Sequence, residues 1–210
     1  MASIDILEQS IKDISYELLK LLLVDKTTKG YIRWGTNQYY RHGADYRAEK
    51  EIFPDLIVGK HSKIIMPRSA KSEKEQLKRT KDKAEVFTAA WICNEQNNLI
   101  DEAWFGRKDI FNSQAEDHIW ITNREPVIFP NGRTWKEYVD ANRLEVSCGE
   151  APYLVSLYDA SNGVSIPIED RIGLLDRKLR IVAENTSTEE EWYDWTIRAF
   201  QSVYGYDYQG

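Results

Sequence analysis

Glu145, Cys148 and Gly149 are the residues of this chain whose types and spacing bear most directly on chemistry. They stand in Leu144-Glu145-Val146-Ser147-Cys148-Gly149-Glu150-Ala151-Pro152-Tyr153-Leu154, where a short apolar run from Arg143 to Val146 meets a Cys-Gly turn. Beyond the turn, Pro152 to Tyr158 is expected to be helical. Strand, glycine turn and helix form the layout with which open α/β sheets hold an adenine-containing cofactor. Glycine lets the backbone approach the ligand, and an acidic residue at a strand end accepts hydrogen bonds from it. Only one glycine stands here, where a dinucleotide fingerprint has three. Taken alone, these residues are better explained by an ordinary strand-to-helix turn.

Two further segments bear on that choice: Lys83-Ala84-Glu85-Val86-Phe87-Thr88-Ala89-Ala90-Trp91-Ile92-Cys93-Asn94 upstream, and Val203-Tyr204-Gly205-Tyr206-Asp207 downstream. Together the three resemble the amino-terminal part of the adenine-N6 DNA methyltransferases of restriction–modification systems. They are most similar to the bacterial and phage proteins labelled restriction endonuclease subunit M. That group carries a Phe-Thr-Pro turn, then Asp-Pro-Ala-Cys-Gly-Ser-Gly or a variant, then a strand ending in Gly-x-Asp or Gly-x-Glu. Phe87 and Thr88 match the first, Glu145, Cys148 and Gly149 the second, and Asp207 the third. The wording from Arg79 to Thr88 and from Gly173 to Arg180 is also similar, and the likeness runs from Tyr31 to Gly210.

The resemblance implies an α/β fold: a partial Rossmann-like class I S-adenosylmethionine methyltransferase domain over residues 84–210, preceded by a helical and basic region over residues 1–83. It also implies S-adenosylmethionine as cofactor. Phe87, Thr88 and the amides after them would face its methionine end, the turn of Glu145, Cys148 and Gly149 its amino-acid moiety, and Asp207 its ribose hydroxyls, a task for two acceptors. Asp176, in Ile172-Gly173-Leu174-Leu175-Asp176, copies the same wording and is the rival ribose ligand. It is placed second because the run after it looks helical, whereas Val203 to Tyr206 looks like a strand.

The chain departs from the group in four places. Ala89 stands where the group has proline, and Glu150-Ala151 replaces the second glycine of the turn. The Asn/Asp/Ser-Pro-Pro-aromatic tetrapeptide that holds the target amino group and stacks on the flipped base occurs nowhere; Glu150-Ala151-Pro152-Tyr153 lacks the second proline. The chain also stops three residues after Asp207. The expectation is therefore the cofactor-binding part of a methyltransferase, with weak cofactor affinity and no catalytic residue of its own. Two alternatives stand beside it: a non-catalytic interaction protein, of phage or mobile-element type, engaging a restriction–modification complex, and a nucleic-acid-binding module.

Composition sets outer bounds. A hydrophobic share of 42% and a charged share of 30% are ordinary for a soluble globular chain. No apolar run approaches the roughly 20 residues that span a bilayer. The most apolar stretch, Leu18 to Val24, follows an acidic start rather than the basic start of a secretory signal. A cytoplasmic, membrane-free setting is expected. Cys93, Cys148 and the three histidines show no metal-ligand spacing. The resemblance sets both cysteines beside the cofactor; the bland account is two small buried thiols. The net charge of −6 argues against indiscriminate nucleic-acid binding. Lys60 to Lys83 nevertheless carries nine Lys/Arg against three acids. That segment is either a grip on DNA phosphates or a solvated linker.

The elements that must position these residues follow from periodicity. Ile4, Leu7, Ile11, Ile14, Leu18, Leu19 and Leu22 predict one amphipathic helix, stopped by Lys29-Gly30. Tyr31 to Arg47 interleaves aromatics with arginines, which suits either base stacking or a strand pair packed on a helix. Glu51 to Pro67 reads as short strands or connectors, and Lys71 to Lys83 as a charged helix or a disordered stretch. Thr88 is expected to cap a helix, His118 to Thr122 to form a strand, and Thr134 with Glu137 to form a capping box. Ile168 to Glu184 and Thr188 to Val203 read as amphipathic helices, the first with Ile172, Leu175, Leu179 and Val182 on one face, the second with Trp192, Trp195, Ile197 and Phe200. Val203 to Asp207 is then a strand parallel to Arg143–Val146. Its apolar edge points to self-association or to a restriction–modification subunit as partner.

Overall fold

The computed structural model describes residues 7–67, 70 and 87–207. They fall into two compact units, 7–67 with 70, and 87–207. The boundary expected between residues 83 and 84, and the stretch from Lys71 to Lys83, lie outside the described residues.

In the first unit the amino-terminal apolar stripe forms two helices, α1 (Glu8–Ile14) and α2 (Tyr16–Leu23), instead of one. Ser15 breaks it by adopting extended backbone, and its hydroxyl accepts the Leu18 N–H at 3.2 Å. Serine offers the backbone this local alternative to the helical ladder. Lys29-Gly30 is not the helix stop. It closes a turn, with Lys29 at φ +66°, that brings Tyr31 back to bridge Val24. The aromatic stretch forms no strand pair either: isolated bridges (Val24–Tyr31 and Arg33–Glu51) lead into 3-10 turns at Asn37–His42 and Ala44–Tyr46. Trp34 and Tyr46 are buried against Leu19, Leu23 and Ile57, and the Tyr46 hydroxyl donates to the Leu56 carbonyl at 3.0 Å. These rings serve the core. Residues 51–67 contain 3-10 turns at Pro54–Leu56 and Gly59–His61, not strands.

The second unit mixes helices with two small sheets. In chain order it contains α3 (Ala90–Phe105), β1 (Asn112–Gln114), β2 (Trp120–Thr122), α4 (Trp135–Asp140), β3 (Arg143–Val146), α5 (Leu174–Asn185), α6 (Glu189–Gln201) and β4 (Val203–Tyr206). β1 and β2 pair antiparallel. β3 and β4 pair parallel, with α5 and α6 in the connection between them, as the sequence pattern predicts. Thr134 and Glu137 form the full capping box of α4. His118 is left out of β2 because Asp117 and His118 both have positive φ. Along α6, Trp195 and Ala199 turn to the core, whereas Trp192, Ile197 and Phe200 are exposed. Among the described residues no helix is long and apolar enough to cross a membrane.

α5 is the central brace. Its apolar residues Leu175, Ile181 and Val182 are buried, and so are the adjacent Arg177 and Lys178. The Arg177 guanidinium donates to Asp101 Oδ2 at 2.5 Å and to Asn94 Oδ1 and Asn98 Oδ1 at 2.8 Å each. Asp101 also accepts from the Tyr138 hydroxyl at 2.7 Å. The Lys178 ammonium donates to the carbonyls of Val139 (2.9 Å), Ala141 (2.6 Å) and Ser202 (3.3 Å), and to the Ser202 hydroxyl (2.5 Å). A cation suits the Lys178 position, where the carbonyls at the ends of α4 and α6 gather. The same carbonyls lead into β3 and β4, so one lysine sets where both parallel strands begin.

Candidate functional site

The carboxyl ends of β3 and β4 lie side by side, with Glu145 opposite Gly205 and Val146 opposite Tyr206. Just beyond, the Cys148 N–H donates to the Tyr206 carbonyl at 3.1 Å, which carries the pairing into the turn. Position 205 is tight: a Cβ there would sit 3.0 Å from Cys148 Sγ. Gly149 has φ +52°, and a Cβ on it would stand 3.1 Å from the Phe87 ring, so that ring covers the turn. Ser147 (φ +57°) and Ala151 (φ +55°) share the left-handed region, which costs an L-residue about 1–2 kcal/mol each. The strain holds an irregular turn between β3 and residue 152.

Glu145 points inward from β3. Burial is the main cause that raises its carboxyl to about 7, while the amides of Leu154 and Tyr153 pull the other way. Its Oε2 is buried with no hydrogen-bond partner. The helix expected over Pro152 to Tyr158 is absent; the chain makes a turn at 152–154 and then extends. A single turn closes, the Leu154 and Val155 amides donating to the Ala151 carbonyl at 3.0 and 2.9 Å, and the chain then finds other acceptors. Besides the two amides that serve Glu145, the Ser156 N–H donates to Asp176 Oδ2 at 2.9 Å, and Tyr158 bridges Ser165 across a turn.

Asp176 is occupied by this internal task. It also accepts the Ser156 hydroxyl at 3.0 Å, while Ser156 Oγ accepts the amides of Ile172 (2.7 Å) and Gly173 (3.1 Å). Burial raises the Asp176 carboxyl. Asp207 instead lies at the open end of β4, near enough for its charge to help raise the Cys148 thiol, after burial and Glu145.

Thr88 does not cap α3. Ala89 is the N-cap and makes no side-chain bond; Asp159 takes the position from far along the chain, its Oδ2 accepting the Ala90 N–H at 3.1 Å. The amide expected to face a ligand carboxylate is thus held by a carboxylate of the chain itself. The Thr88 hydroxyl bonds to the Tyr153 phenol, and its carbonyl accepts from the Cys93 thiol at 3.9 Å. Cys93 is raised to about 12, by burial first and then by the charges of Glu145 and Asp159.

Phe87, Thr88, Glu145, Cys148, Gly149 and Asp207, far apart in sequence, therefore gather at one end of the parallel pair. Both thiols feel the Glu145 carboxyl. Tyr153 and Asp159 belong to the same cluster and were not legible beforehand. Tyr153 reads as part of a helix, and Asp159, in Asp159-Ala160-Ser161-Asn162-Gly163, reads as a turn residue. A further neighbour of α3, His118, stacks on Trp91 with ring centroids 3.8 Å apart.

The chemistry of the cluster follows from its groups. Its carboxyls (Glu145, Glu150, Asp159 and Asp207) accept hydrogen bonds and attract positive charge. A small molecule that is cationic and rich in hydroxyls suits such a surface, and a phosphate does not. Among the described residues no group of three or more His, Cys, Asp or Glu could hold a metal ion. No protein-family model, no curated protein and no solved structure matches this chain.

Proposed function

We propose that residues 87–207 are the S-adenosylmethionine-binding part of a DNA adenine-N6 methyltransferase of a restriction–modification system. In this reading β3 and β4 are two strands of a Rossmann-like sheet, and the ligand lies across their carboxyl ends. The observation that carries it is the meeting of Glu145, Cys148 and Gly149 with Asp207 across the parallel pair, beneath Phe87. Glycine turns and strand-end acids meet in this way where open α/β sheets bind adenine cofactors.

The residues fit the ligand at its donor groups. Asp207 offers two acceptor oxygens to the ribose hydroxyls, and the unpartnered Oε2 of Glu145 is an acceptor for an ammonium. The fit is poorest at the ligand's carboxylate, because Asp159 already holds the Ala90 amide. When bound, S-adenosylmethionine supplies an activated methyl group. The chain's own residues bind and orient; with no Pro-Pro-aromatic motif in the sequence, no residue here is assigned to hold a flipped base.

The test is calorimetry with S-adenosylmethionine on the full chain and on Asp207→Ala. Weak binding, with Kd of about 0.1–1 mM, is expected in the wild type, and the substitution should weaken it at least about tenfold, or about 1.4 kcal/mol. Binding that survives the substitution unchanged would remove Asp207 from the site, and no binding by the wild type would remove the reading.

A second reading, an interaction protein engaging a restriction–modification complex, is favoured by a different observation. Leu144, Val146, Tyr204 and Tyr206 leave one face of the β3–β4 pair exposed, although parallel strands are ordinarily covered on both faces. The basic stretch from Lys60 to Lys83, which reads as either a grip on DNA phosphates or a solvated linker, lies mostly outside the described residues.

A further inference from the structure

A concave site lies in the same unit, lined by none of the six residues of the cofactor reading and independent of it. It is a cleft of about 240 Å³ between the β1–β2 pair, the turn at residues 168–171 and α5. Four arginines line it: Arg124, Arg171, Arg177 and Arg180. Three of them are held in ion pairs, Arg124 with Asp170 at 2.7 Å, Arg180 with Glu184 at 2.6 Å and Arg177 with Asp101 at 2.5 Å.

Arg171 and Arg177 are set apart by their Nε–H groups. Arg177 is 1% exposed, and its terminal nitrogens are turned to Asp101, Asn94 and Asn98 on α3. Its Nε–H is buried without a partner. The Arg171 Nε–H is likewise buried without a partner, and among the described residues no carboxylate lies within ion-pair distance of Arg171. Guanidinium nitrogens only donate, and a buried N–H without an acceptor costs about 1–3 kcal/mol. The acids lining the cleft have other work: Glu184 accepts from Arg180 and from the Val127 amide, and Asp176 from Ser156. Glu169 is exposed.

We propose that this cleft binds a small oxyanion, a phosphate or a carboxylate group, whose oxygens accept from the Nε–H groups of Arg171 and Arg177. The volume suits a small metabolite rather than a macromolecule. Phe111, with the guanidinium groups of Arg177 and Arg180 5.1 and 5.7 Å from its ring, forms the apolar floor that keeps both arginines in place.

The experiment follows the arginine Nε–H resonances of the full chain by ¹H–¹⁵N spectroscopy. Sodium phosphate and sodium citrate are titrated separately, at ionic strength held constant with sodium chloride. Two Nε–H signals should shift saturably, with a Kd of about 1 mM. Response to phosphate alone assigns a phosphoryl ligand, response to citrate alone a carboxylate, and either supports the site. Arg171→Lys keeps the charge but lacks the Nε–H, and should weaken binding at least about tenfold. If no Nε–H signal of the wild type moves saturably with either anion, the proposal falls, whether or not the variant folds. An Arg171→Lys protein that binds like the wild type overturns it as well.

Discussion

Asp101 and Glu145 are both carboxylates drawn away from water in the same unit, and their surroundings treat them in opposite ways. Asp101 receives the Arg177 guanidinium and the Tyr138 hydroxyl, within a network that continues through Asn94, Asn98 and Asn112. Glu145 has two amides on one side, an unpartnered oxygen on the other, two thiols nearby and no cation paired with it. The first arrangement fixes a helix on a helix. The second leaves acceptor capacity unspent at the carboxyl ends of two parallel strands. A folded chain keeps an unsatisfied buried acid mainly where a ligand or a proton can complete it.

The sharpest way to break this contrast is to orphan the cation. Asp101→Ala would leave Arg177 buried with its charge uncompensated, at a cost of about 3–5 kcal/mol. Urea unfolding monitored by tryptophan fluorescence measures it. Replacing both partners, as Asp101→Leu with Arg177→Met, should recover most of that loss, because the desolvation penalty goes with the pair. A loss below about 1 kcal/mol in the single variant would place Asp101 among weakly coupled surface acids instead.

The two regions also differ in how far the sequence disclosed them. The parallel pairing of Arg143–Val146 with Val203–Tyr206 was legible, since two short apolar runs flank two amphipathic stretches. The capping box at Thr134 was legible because a cap is local. Helix α3 was expected, but its cap was not: Asp159 reaches Ala90 across 69 positions, and no local pattern encodes that bond. The polar core hid in plain view. Asn94, Asn97, Asn98 and Asp101 recur at helical spacing, and polar residues at that spacing read as a solvated face until Arg177 arrives from α5. Of the site, the resemblance points to all six residues; the parallel pair brings Glu145, Cys148 and Gly149 to Asp207, whereas Phe87 and Thr88 arrive through Gly149 and Tyr153. The turn at 152–154 in place of a helix was missed because the amides of Tyr153 and Leu154 serve Glu145 and that of Ser156 serves Asp176, partners no local pattern encodes.

Lys178 offers the next test, since it sits between the two regions and sets the start of both strands. Lys178→Met would leave the Ala141 carbonyl without its donor and the Val139 carbonyl with the Ser202 hydroxyl alone, at a cost of about 1–3 kcal/mol. The pH response separates this from simple repacking. Burial pushes the ammonium down to about 7 from 10.5. Between those values the unfolded chain binds more protons than the native one, so stability rises with pH across that window. The variant should lose this rise. Melting temperatures at pH 7 and pH 10 read it directly, and an unchanged slope would mean that Lys178 titrates alike in both states.

The smallest effect is expected at Glu145, where the sign is opposite. Its folded carboxyl is raised to about 7 from 4.5, so the native state holds a proton that the unfolded state has released. Stability therefore falls as pH rises from 4.5 to 7, and the full contribution is present only below that window. Glutamine reproduces the protonated form, so Glu145→Gln should flatten this part of the profile while matching the wild type near pH 4.5. Because the side chain is only half-buried, solvent screens part of the effect, and the change should be smaller than at Asp101 or Lys178. A ligand ammonium bound at Oε2 would favour the ionised carboxylate and draw the pKa back down. Melting curves at pH 5 and pH 7, with and without S-adenosylmethionine, then ask whether this acid is held for a ligand. If the cofactor stabilises the wild type more at pH 7 than at pH 5 and Glu145→Gln erases that difference, Glu145 is a binding residue. If the difference persists in the variant, the unpartnered oxygen serves the fold alone.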